Sequence, residues 1–513
     1  MSATTPNAPS ISPIPDTTRA SPLTMDAAAF RDAGHQLVDE IAAFLEGLPE
    51  RPVTRAVSPE TVRATLDAGA SLPETGQDAG SILERVASQL FEQSLFNGHP
   101  RFWGYITAGP APIGILADFL ASAVNANVGA WRLSPVASEI EAQTIRWIAE
   151  LTGYPAGCGG ILVSGGNMAN TVGLFAARAA KAGWDIRKRG FVADAPRLRV
   201  YATTGTHTWI EKATDLAGLG TDCIRWIPTD ADHRMDVAAL RAAVDRDRKA
   251  GERPLAIVGT AGSVSVGSVD PLDEIAAFCQ ETGIWFHVDG AYGGLAARVP
   301  GAPAALAALG QADSVALDPH KWLYAPLEAG CTLVRDEKVL RDAFSYNPPY
   351  YHFGTAAHNY YDLGPQNSRG FRALKVWMAL RMAGRAGYLQ MMADDIRLSE
   401  RMFARVSAHP EIEALTQALS IATFRYVPSD LRGRREEKDV AAYLNRMNET
   451  LLERLQNGGE AFVSNAIVND RYALRACIVN FRTSEADVDA LPDLVVRIGR
   501  EVDAILRPEH RPL

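Results

Sequence analysis

The stretch Asp313-Ser-Val-Ala-Leu-Asp-Pro-His-Lys-Trp-Leu323 decides how this chain is expected to fold, together with His287-Val-Asp-Gly-Ala-Tyr-Gly-Gly294 upstream. In each region an apolar run leads to a charged residue, which is Asp289 in the upstream region and Lys321 in the downstream one. Two buried strands that each deliver one charged residue at the carboxyl end indicate an acid and an amine that converge on one ligand. A lysine amine can form a Schiff base with an aldehyde, and an aspartate can hold a proton on a pyridine nitrogen. These are the two demands of pyridoxal 5'-phosphate (PLP), which we therefore predict as the cofactor.

Short apolar runs alternate with alanine-rich stretches between about residues 110 and 385. The runs that we predict as strands are Ile161–Val163, Leu198–Tyr201, Leu255–Val258, Ile284–Val288, Ser314–Leu317 and Cys331–Val334. Helical spacing predicts helices between them, such as Met168–Lys181 and Pro271–Thr282. This alternation is typical of an α/β fold with a mainly parallel sheet flanked by helices. In such a sheet the functional residues lie at the carboxyl ends of the strands.

Four regions are expected along the chain. They are a disordered N-terminal tail at 1–23, an N-terminal helical segment at 24–109, a large cofactor-binding domain at 110–385 and a small C-terminal α/β domain at 386–513. The tail is assigned because 13 of its 23 residues are Pro, Ser or Thr. Apolar residues from Phe30 to Leu48 recur at helical spacing and predict the first helix. The C-terminal features that we predict are two strands, Ile421–Val427 and Ala476–Phe481, and a solvated loop, Arg432–Asp439.

Composition and charge argue against several classes of function. The 513 residues are 47% hydrophobic and 22% charged, which is typical of a globular protein. The net charge of -9 argues against binding to nucleic acid or to an anionic membrane, because both need basic patches. The five cysteines include no CxxC pair, so we expect reduced thiols and no metal site. No apolar run has membrane-spanning length, and a cytoplasmic location is the default expectation.

The segment Val163-Ser-Gly-Gly-Asn-Met-Ala-Asn170 follows a predicted strand and opens a predicted helix. Backbone N–H groups at a glycine turn and at a helix N-terminus bind anions without a basic side chain. The segment is therefore a candidate site for the phosphate of the cofactor. A nicotinamide cofactor is not expected, because no GxGxxG motif follows the first predicted strand.

Several motifs together resemble one enzyme family. They are Phe30-Arg-Asp-Ala-Gly-His35, His99-Pro-Arg-Phe-Trp-Gly-Tyr105, His287-Val-Asp-Gly-Ala-Tyr-Gly-Gly294, Pro319-His-Lys-Trp322, Phe371-Arg-Ala-Leu-Lys-Val-Trp377 and Leu474-Arg-Ala-Cys-Ile-Val-Asn-Phe481. With these motifs in this order, the chain resembles the group II PLP-dependent amino-acid decarboxylases, which include the aromatic-L-amino-acid and tryptophan decarboxylases. The resemblance extends from about Thr24 to the C-terminus. The resemblance implies fold type I of the PLP-dependent transferases, as in aspartate aminotransferase, and a homodimer with a shared active site. It also implies that the N-terminal helical segment at 24–109 contacts the other subunit of that dimer.

The resemblance also implies roles for residues around the cofactor. Lys321 matches the lysine that holds PLP as a Schiff base, and Asp289 matches the partner of the pyridine nitrogen. His207 matches the histidine that stacks on the PLP ring near the substrate carboxylate. The other residues expected at the cofactor are Gly165, Gly166, Asn167, Thr260, Ala291, Asp318 and His320. Asp318 has a supporting role, because some relatives carry asparagine there.

The substrate pocket has two interpretations. The cluster of Phe102, Trp103 and Tyr105 is either a core cluster or, by resemblance, the wall that contacts the substrate side chain. An aromatic wall favours an aromatic amino acid as substrate. Arg101 and Arg132 are the cations that could instead bind an acidic side chain.

The expected activity is PLP-dependent decarboxylation of an L-amino acid, of the aromatic class, to the amine and CO2 through an aldimine on Lys321. Tyr350 matches a loop tyrosine that returns a proton to the α-carbon, although a shift of one residue would select Tyr351 instead. Two alternatives on the same fold are an aromatic aldehyde synthase, in which relatives carry phenylalanine in place of that tyrosine, and a decarboxylase of an acidic amino acid. A non-catalytic PLP-binding protein is disfavoured, because the expected lysine, aspartate and histidine are all present.

Overall fold

The computed structural model describes residues 21–346 and 358–507. The described residues fall into two compact units, one within 1–50 and 57–94 and the other within 51–56 and 95–513. The predicted large and small domains both belong to the second unit, and their limits remain predictions.

The helices and strands that the structure describes are numbered here in chain order. The helices are α1 (Ala27–Gly47), α2 (Pro59–Thr65), α3 (Ala79–Gln93), α4 (Pro112–Val124), α5 (Pro135–Thr152), α6 (Gly166–Lys181), α7 (Ile186–Arg189), α8 (Trp209–Leu216), α9 (Val237–Lys249), α10 (Leu272–Thr282), α11 (Pro319–Trp322), α12 (Glu337–Phe344), α13 (Ala373–Ala408), α14 (Lys438–Gly458) and α15 (Glu485–Leu506). The strands are β1 (Phe102–Trp103), β2 (Gly159–Val163), β3 (Leu198–Thr203), β4 (Ile224–Ile227), β5 (Arg253–Thr260), β6 (Trp285–Asp289), β7 (Ser314–Leu317), β8 (Gly330–Val334), β9 (Ile412–Ala418), β10 (Ile421–Tyr426), β11 (Phe462–Val468) and β12 (Arg471–Cys477). Within residues 21–346 and 358–507, no helix combines the length and the apolar character that crossing a membrane requires.

The first unit is built from the helices α1, α2 and α3. Asp26 caps α1, because its Oδ1 accepts hydrogen bonds from the backbone N–H of Ala28 at 2.9 Å and of Ala29 at 2.8 Å. The rings of Phe44 on α1 and Phe91 on α3 stack with their centroids 4.6 Å apart. The helix predicted from apolar spacing is therefore confirmed as α1.

Seven described strands form the large sheet of the second unit, in the order β2-β8-β7-β6-β5-β3-β4. Neighbouring strands are parallel except at β8, which runs antiparallel to both β2 and β7. Helices α5, α6, α9 and α10 pack against this sheet. All six strands predicted from apolar runs are present, which confirms the expected α/β fold. Strand β4 was not predicted, because Arg225 and Trp226 at its centre are partly exposed at the sheet edge.

Strand register brings the charged residues to one edge of the large sheet. Thr260 at the end of β5 pairs with Asp289 at the end of β6. Because β5, β6 and β7 are parallel, their carboxyl ends meet there, and α11 with Lys321 follows β7 directly. Strand β2 ends at the same edge, because both β2 and β7 run antiparallel to β8. The sheet thus collects the functional residues that the sequence predicts.

The second sheet has the order β1-β11-β12-β10-β9. An apolar core lies between this sheet and helices α13, α14 and α15. The predicted strand Ile421–Val427 is β10, whereas the prediction Ala476–Phe481 overlaps only the end of β12. The run Arg432–Asp439 contains the first residues of α14 and is not entirely a loop. Strand β1 comes from far earlier in the chain and pairs in parallel with β11.

A buried ion pair holds β2 in place. The side chains of Glu141 on α5 and Arg369 before α13 are 0% and 1% exposed, and the guanidinium donates hydrogen bonds to the carboxylate. Arg369 also donates to the carbonyl oxygens of Val128 at 2.9 Å and Leu162 at 2.6 Å. Glu141 accepts a hydrogen bond from the N–H of Leu162 at 3.0 Å. The pair therefore fixes β2 just before its glycine turn.

Candidate active site

A cavity of about 320 Å³ lies at the carboxyl edge of the large sheet. Its lining comes from the ends of several strands and from the turns and helices that follow them. The residues predicted at the cofactor that line it are Gly165, Gly166, Asn167, His207, Thr260, Asp289, Ala291, Asp318, His320 and Lys321. The structure thus brings together every residue predicted at the cofactor, while the individual roles remain predictions.

Lys321 lies on the short helix α11, and its side chain is 19% exposed. Its Nζ is 3.2 Å from Oδ2 of Asp318, which is also 3.7 Å from Nε2 of His320. The Nδ1 of His320 accepts a hydrogen bond from the N–H of Ala329 at 3.2 Å. Burial lowers the pKa of His320 and outweighs the opposing charge of Asp318, so this imidazole is neutral at neutral pH. One carboxylate therefore holds the lysine amine at the cavity wall.

The N-terminus of α6 forms the side of the cavity suited to an anion. Gly165 precedes the first helical residue, Gly166, and no side chain caps this helix. A Cβ atom on Gly166 would lie 2.4 Å from Oδ2 of Asp318, and one on Gly165 would lie 3.2 Å from Cε1 of His320. Position 166 therefore has no room for a side chain and requires glycine. The uncapped N–H groups of the first turn remain available to a phosphate.

Asp289 at the end of β6 is 7% exposed, and its carboxylate accepts three hydrogen bonds from described residues. Its Oδ2 accepts from the indole Nε1 of Trp209 at 2.8 Å. Its Oδ1 accepts from Nδ2 of Asn170 and from the N–H of Ala291, both at 3.3 Å. These donors hold the carboxylate in one orientation at the cavity wall.

A buried hydrogen-bond network lies behind Asp289. The Nε2 of His287 is 2.8 Å from Oδ1 of Asn170, and its Nδ1 is 2.7 Å from Oγ of Ser314. The indole of Trp285 donates to the same Oγ at 2.9 Å. Burial lowers the pKa of His287 to about 4, so the ring is neutral and one ring nitrogen donates while the other accepts.

Thr260 and His207 complete the wall. The N–H of Thr260 donates to Oδ2 of Asp270 at 2.7 Å, and its Oγ1 is 3.4 Å from that of Thr206. Burial raises the pKa of Asp270 to about 6. The Nδ1 of His207 accepts a hydrogen bond from the N–H of Trp209 at 3.1 Å. In the neutral imidazole the proton therefore lies on Nε2.

The three aromatic residues predicted at the substrate pocket do not line this cavity. Phe102 and Trp103 form β1 and are 2% and 1% exposed. The ring of Phe102 stacks on Phe462 at 5.3 Å, and Nε1 of Trp103 donates to Thr483 at 3.2 Å. Each of these side chains packs in an apolar cluster, Trp103 with residues of the second sheet and Phe102 with Val53 and Phe462, and their role at the substrate stays a prediction. Tyr105 has a φ of 52° and is 55% exposed.

Two further predictions concern the loop tyrosine and the two arginines. Tyr350 and Tyr351 lie outside the described residues, so the loop acid stays a prediction. Arg101 pairs with Asp487 at 3.0 Å, and Arg132 belongs to a short 3-10 helix, Trp131–Leu133. Neither arginine lines the cavity.

The wall also contains residues that were not predicted at the cofactor, among them Trp209, Asn170 and Glu328. Trp209 stands two positions after His207, and Asn170 ends the glycine segment, so both occur in motifs that the sequence already singles out. Their contacts with Asp289 cross from one element to another and leave no local signal. Glu328 also lines the cavity and pairs with Arg372 at 3.0 Å, and no motif contains it.

Asp395 on α13 anchors the segment that carries the lysine. Its Oδ2 accepts hydrogen bonds from Nε1 of Trp322 at 2.8 Å and from the hydroxyl of Tyr324 at 2.7 Å. Burial raises the pKa of Asp395 to about 7, although these donors and the N–H of Asn480 oppose the shift. This carboxyl group therefore titrates near neutral pH.

Replacing Asp395 with asparagine is expected to make stability less dependent on pH. The pKa of Asp395 is raised from 3.8 to about 7 in the folded chain. Its contribution to stability therefore falls as the pH rises towards 7, by roughly 2 kcal/mol between pH 5.5 and pH 7. Asparagine keeps an oxygen that accepts from Trp322 and Tyr324 but does not ionise. The melting temperature of Asp395→Asn relative to the wild type should rise between pH 5.5 and pH 8.5, and a constant difference would contradict this prediction.

The site fits pyridoxal phosphate on its own geometry. Oδ1 of Asp318 is buried and has no hydrogen-bond partner among the described residues, as expected where a bound group completes a site. The uncapped N-terminus of α6 suits a phosphate, and Lys321 and Asp289 supply an amine and a carboxylate on the wall of the same cavity. The Cβ distances at Gly166 show that the backbone approaches this space closely.

Comparison with known proteins gives consistent matches. Residues 59–427 match the pyridoxal-dependent decarboxylase conserved domain. An aromatic-L-amino-acid decarboxylase of Bacillus atrophaeus is 32% identical over 485 residues, covering 94% of this chain and 97% of the relative. A phenylacetaldehyde synthase of Arabidopsis thaliana is 29% identical and covers 90% of this chain and 94% of the relative. A crystal structure of Oryza sativa TDC with PLP and tryptamine superposes with a TM-score of 0.86 at 28% identity, covering 94% of this chain and 99% of that one.

Proposed function

Because this chain belongs to the family of pyridoxal-dependent decarboxylases, we propose that it converts an aromatic L-amino acid into the corresponding amine and CO2. Membership of the family makes it a PLP-dependent carboxy-lyase that acts on an amino acid. The observation that carries the aromatic assignment is the cavity lining. The described residues on that wall include Trp209, Tyr292, Val264 and Met168, and they include no arginine.

The charge of the wall supports an aromatic substrate over an acidic one. A side-chain carboxylate needs a fixed cation, and in the described lining Lys321 is the one lysine or arginine. That lysine is assigned to the cofactor. Glu328 on the same wall adds a negative charge, and Arg372, its partner, does not line the cavity. Arg101 is engaged with Asp487 elsewhere in the unit.

Four groups of this chain would hold the cofactor. When bound, pyridoxal phosphate supplies an aldehyde and a protonated ring that accepts the electrons of the broken carbon–carbon bond. Lys321 supplies the amine for covalent attachment, and Asp318 keeps that amine at the wall. Asp289 holds the proton on the ring nitrogen. The N-terminal turn of α6, with Gly165, Gly166 and Asn167, receives the phosphate.

The remaining assignments concern proton transfer and the substrate carboxylate. His207 lies on the wall with its Nδ1 engaged, so Nε2–H is the group that it presents as a donor. We assign His207 a position against the face of the cofactor ring, near the α-carboxylate of the substrate. Tyr350 is assigned as the acid that protonates the α-carbon after CO2 leaves. An acid at that carbon favours the amine as the product.

An aromatic aldehyde synthase is the second candidate, favoured by one observation. A phenylacetaldehyde synthase matches the chain at 29% identity, which is comparable to the matching decarboxylases of animals and plants. Tyr350 argues against this candidate, because the resemblance associates phenylalanine with aldehyde formation.

A second copy of this chain is the partner that we propose. Helix α4 exposes an apolar face within the described chain, and neighbouring exposed apolar side chains of this kind indicate an interaction surface. Its members are Leu116, Phe119, Leu120 and Val124, each more than half exposed. Sedimentation equilibrium should give the mass of two chains, and a stable active monomer would contradict the shared active site.

The function is tested by incubating the PLP-loaded protein with a mixture of the common amino acids and identifying the products by mass spectrometry. An amine such as tryptamine, tyramine or phenethylamine is expected, with one CO2 released per amine. An aromatic aldehyde with peroxide would instead establish the second candidate. An amine formed only from an acidic amino acid would contradict the argument from the lining.

A further inference from the structure

Trp209 makes two contacts with residues assigned to the cofactor. Its indole N–H donates to Oδ2 of Asp289 at 2.8 Å, and its backbone N–H donates to Nδ1 of His207 at 3.1 Å. Trp209 is the first residue of α8 and is 1% exposed. Its ring also meets His287 edge to face, with centroids 5.6 Å apart and an interplanar angle of 74°. One buried residue therefore links the aspartate of β6 to the histidine that follows β3.

The two oxygens of Asp289 differ in how they are held. Oδ1 receives the amide of Asn170 and the N–H of Ala291. Oδ2 receives the indole of Trp209 as its one donor among the described residues. Loss of the indole N–H would therefore leave one oxygen of a buried carboxylate without a donor.

In the network behind Asn170, each donor and each acceptor can be assigned. Nδ2 of Asn170 donates to the carbonyl of Gly166 at 2.8 Å, which places Oδ1 of the amide at His287. His287 therefore carries its proton on Nε2, and its Nδ1 accepts from the hydroxyl of Ser314. The indole of Trp285 can only donate, so Ser314 accepts from it. Asn170 is thus held at both ends and leaves no spare donor for Oδ2 of Asp289.

We propose that Trp209 is a positioning residue that fixes Asp289 through its indole N–H and His207 through its backbone N–H. The inference rests on the proposed function, because it takes Asp289 as the partner of the pyridine nitrogen. A carboxylate that is held through both oxygens keeps its orientation when the cofactor leaves and returns. Trp209 thereby couples the group at the ring nitrogen to the group at the ring face.

The test removes the indole N–H and measures cofactor affinity. Trp209→Phe deletes the donor together with part of the ring. Substituting 3-benzothienylalanine at position 209 keeps the shape and replaces only the N–H by sulfur, so it serves if the phenylalanine variant folds poorly. Trp377→Phe is the matched control. The indole of Trp377 donates a hydrogen bond of 2.7 Å to Gln143, and neither residue lines the cavity. Apoenzyme is titrated with PLP and, separately, with its 1-deaza analogue, in which a C–H group replaces the ring nitrogen.

The expected result is a selective loss of affinity. Both changes at position 209 should raise the Kd for PLP about tenfold or more, as expected for a lost hydrogen bond to a charged group. The Kd for the 1-deaza analogue should change less than about twofold, because the analogue has no ring nitrogen that could pair with Asp289. Trp377→Phe should leave both values unchanged.

Three outcomes would overturn the inference. Equal weakening of PLP and analogue binding would show that Trp209 only supports the fold. Unchanged PLP affinity in both variants would show that the indole hydrogen bond has no effect. If the wild-type protein itself binds PLP and the analogue equally, the assignment of Asp289 is wrong and the inference falls with it. That last failure appears in the wild type, so it is distinguishable from the first two.

Discussion

Replacement of Lys321 by alanine is expected to reduce amine formation by several orders of magnitude and to abolish the visible absorption band of the PLP-loaded protein. The lysine supplies the amine for covalent attachment of the cofactor. In the structure Asp318 pairs with this amine at 3.2 Å, and the side chain lies on the cavity wall. Amine release and the absorption spectrum of the purified variant measure the effect.

Two controls separate chemistry from charge in this experiment. Lys321→Arg keeps a cation beside Asp318 but has no primary amine, so it should lose activity as alanine does. Lys338→Ala removes an exposed lysine that pairs with Asp342 on the surface of α12, and it should behave as the wild type. An unchanged visible band in Lys321→Ala would show that another residue binds the cofactor.

The second large effect is expected from the buried pair of Glu141 and Arg369. Glu141→Gln should lower the free energy of unfolding by about 3–5 kcal/mol, because it leaves the guanidinium buried without a counter-charge. Glutamine retains an oxygen for the N–H of Leu162, so the change acts mainly through charge. Urea denaturation of the apoenzyme measures the loss.

Helix α5 carries its own control for this prediction. Glu150 pairs with Arg146 at 3.9 Å on the same helix, and the two side chains are 51% and 50% exposed. Glu150→Gln should cost less than about 0.5 kcal/mol, because water screens an exposed pair. A similar loss in the two variants would refute the view that burial sets the value of the Glu141 pair.

The parts of the site that could be predicted from the sequence are those with a local signature. Asp289 and Lys321 each end an apolar run, and Gly165 and Gly166 lie between a strand and a helix. Parallel strands then bring these ends to one edge, so the fold class alone predicts their proximity. The match with the family extended this prediction to His207.

The parts that could not be predicted depend on contacts between distant elements. The hydrogen bond from Trp209 to Asp289 joins α8 to β6, and nothing in either local sequence encodes it. The buried positions of Phe102 and Trp103 depend on strand β11, which belongs to another part of the chain. A two-residue strand has no periodicity of its own, so an aromatic run there fits a core as well as a pocket.

Strand β1 has a consequence for how this protein is made. Its partner, β11, is synthesised only after the whole large sheet has left the ribosome. Until then the apolar rings of Phe102 and Trp103 lack the strand that covers them. We therefore expect nascent chains that stop before Phe462 to aggregate or to bind chaperones, even when the large sheet has already formed. The core beneath the second sheet can therefore be completed only after β11 has left the ribosome.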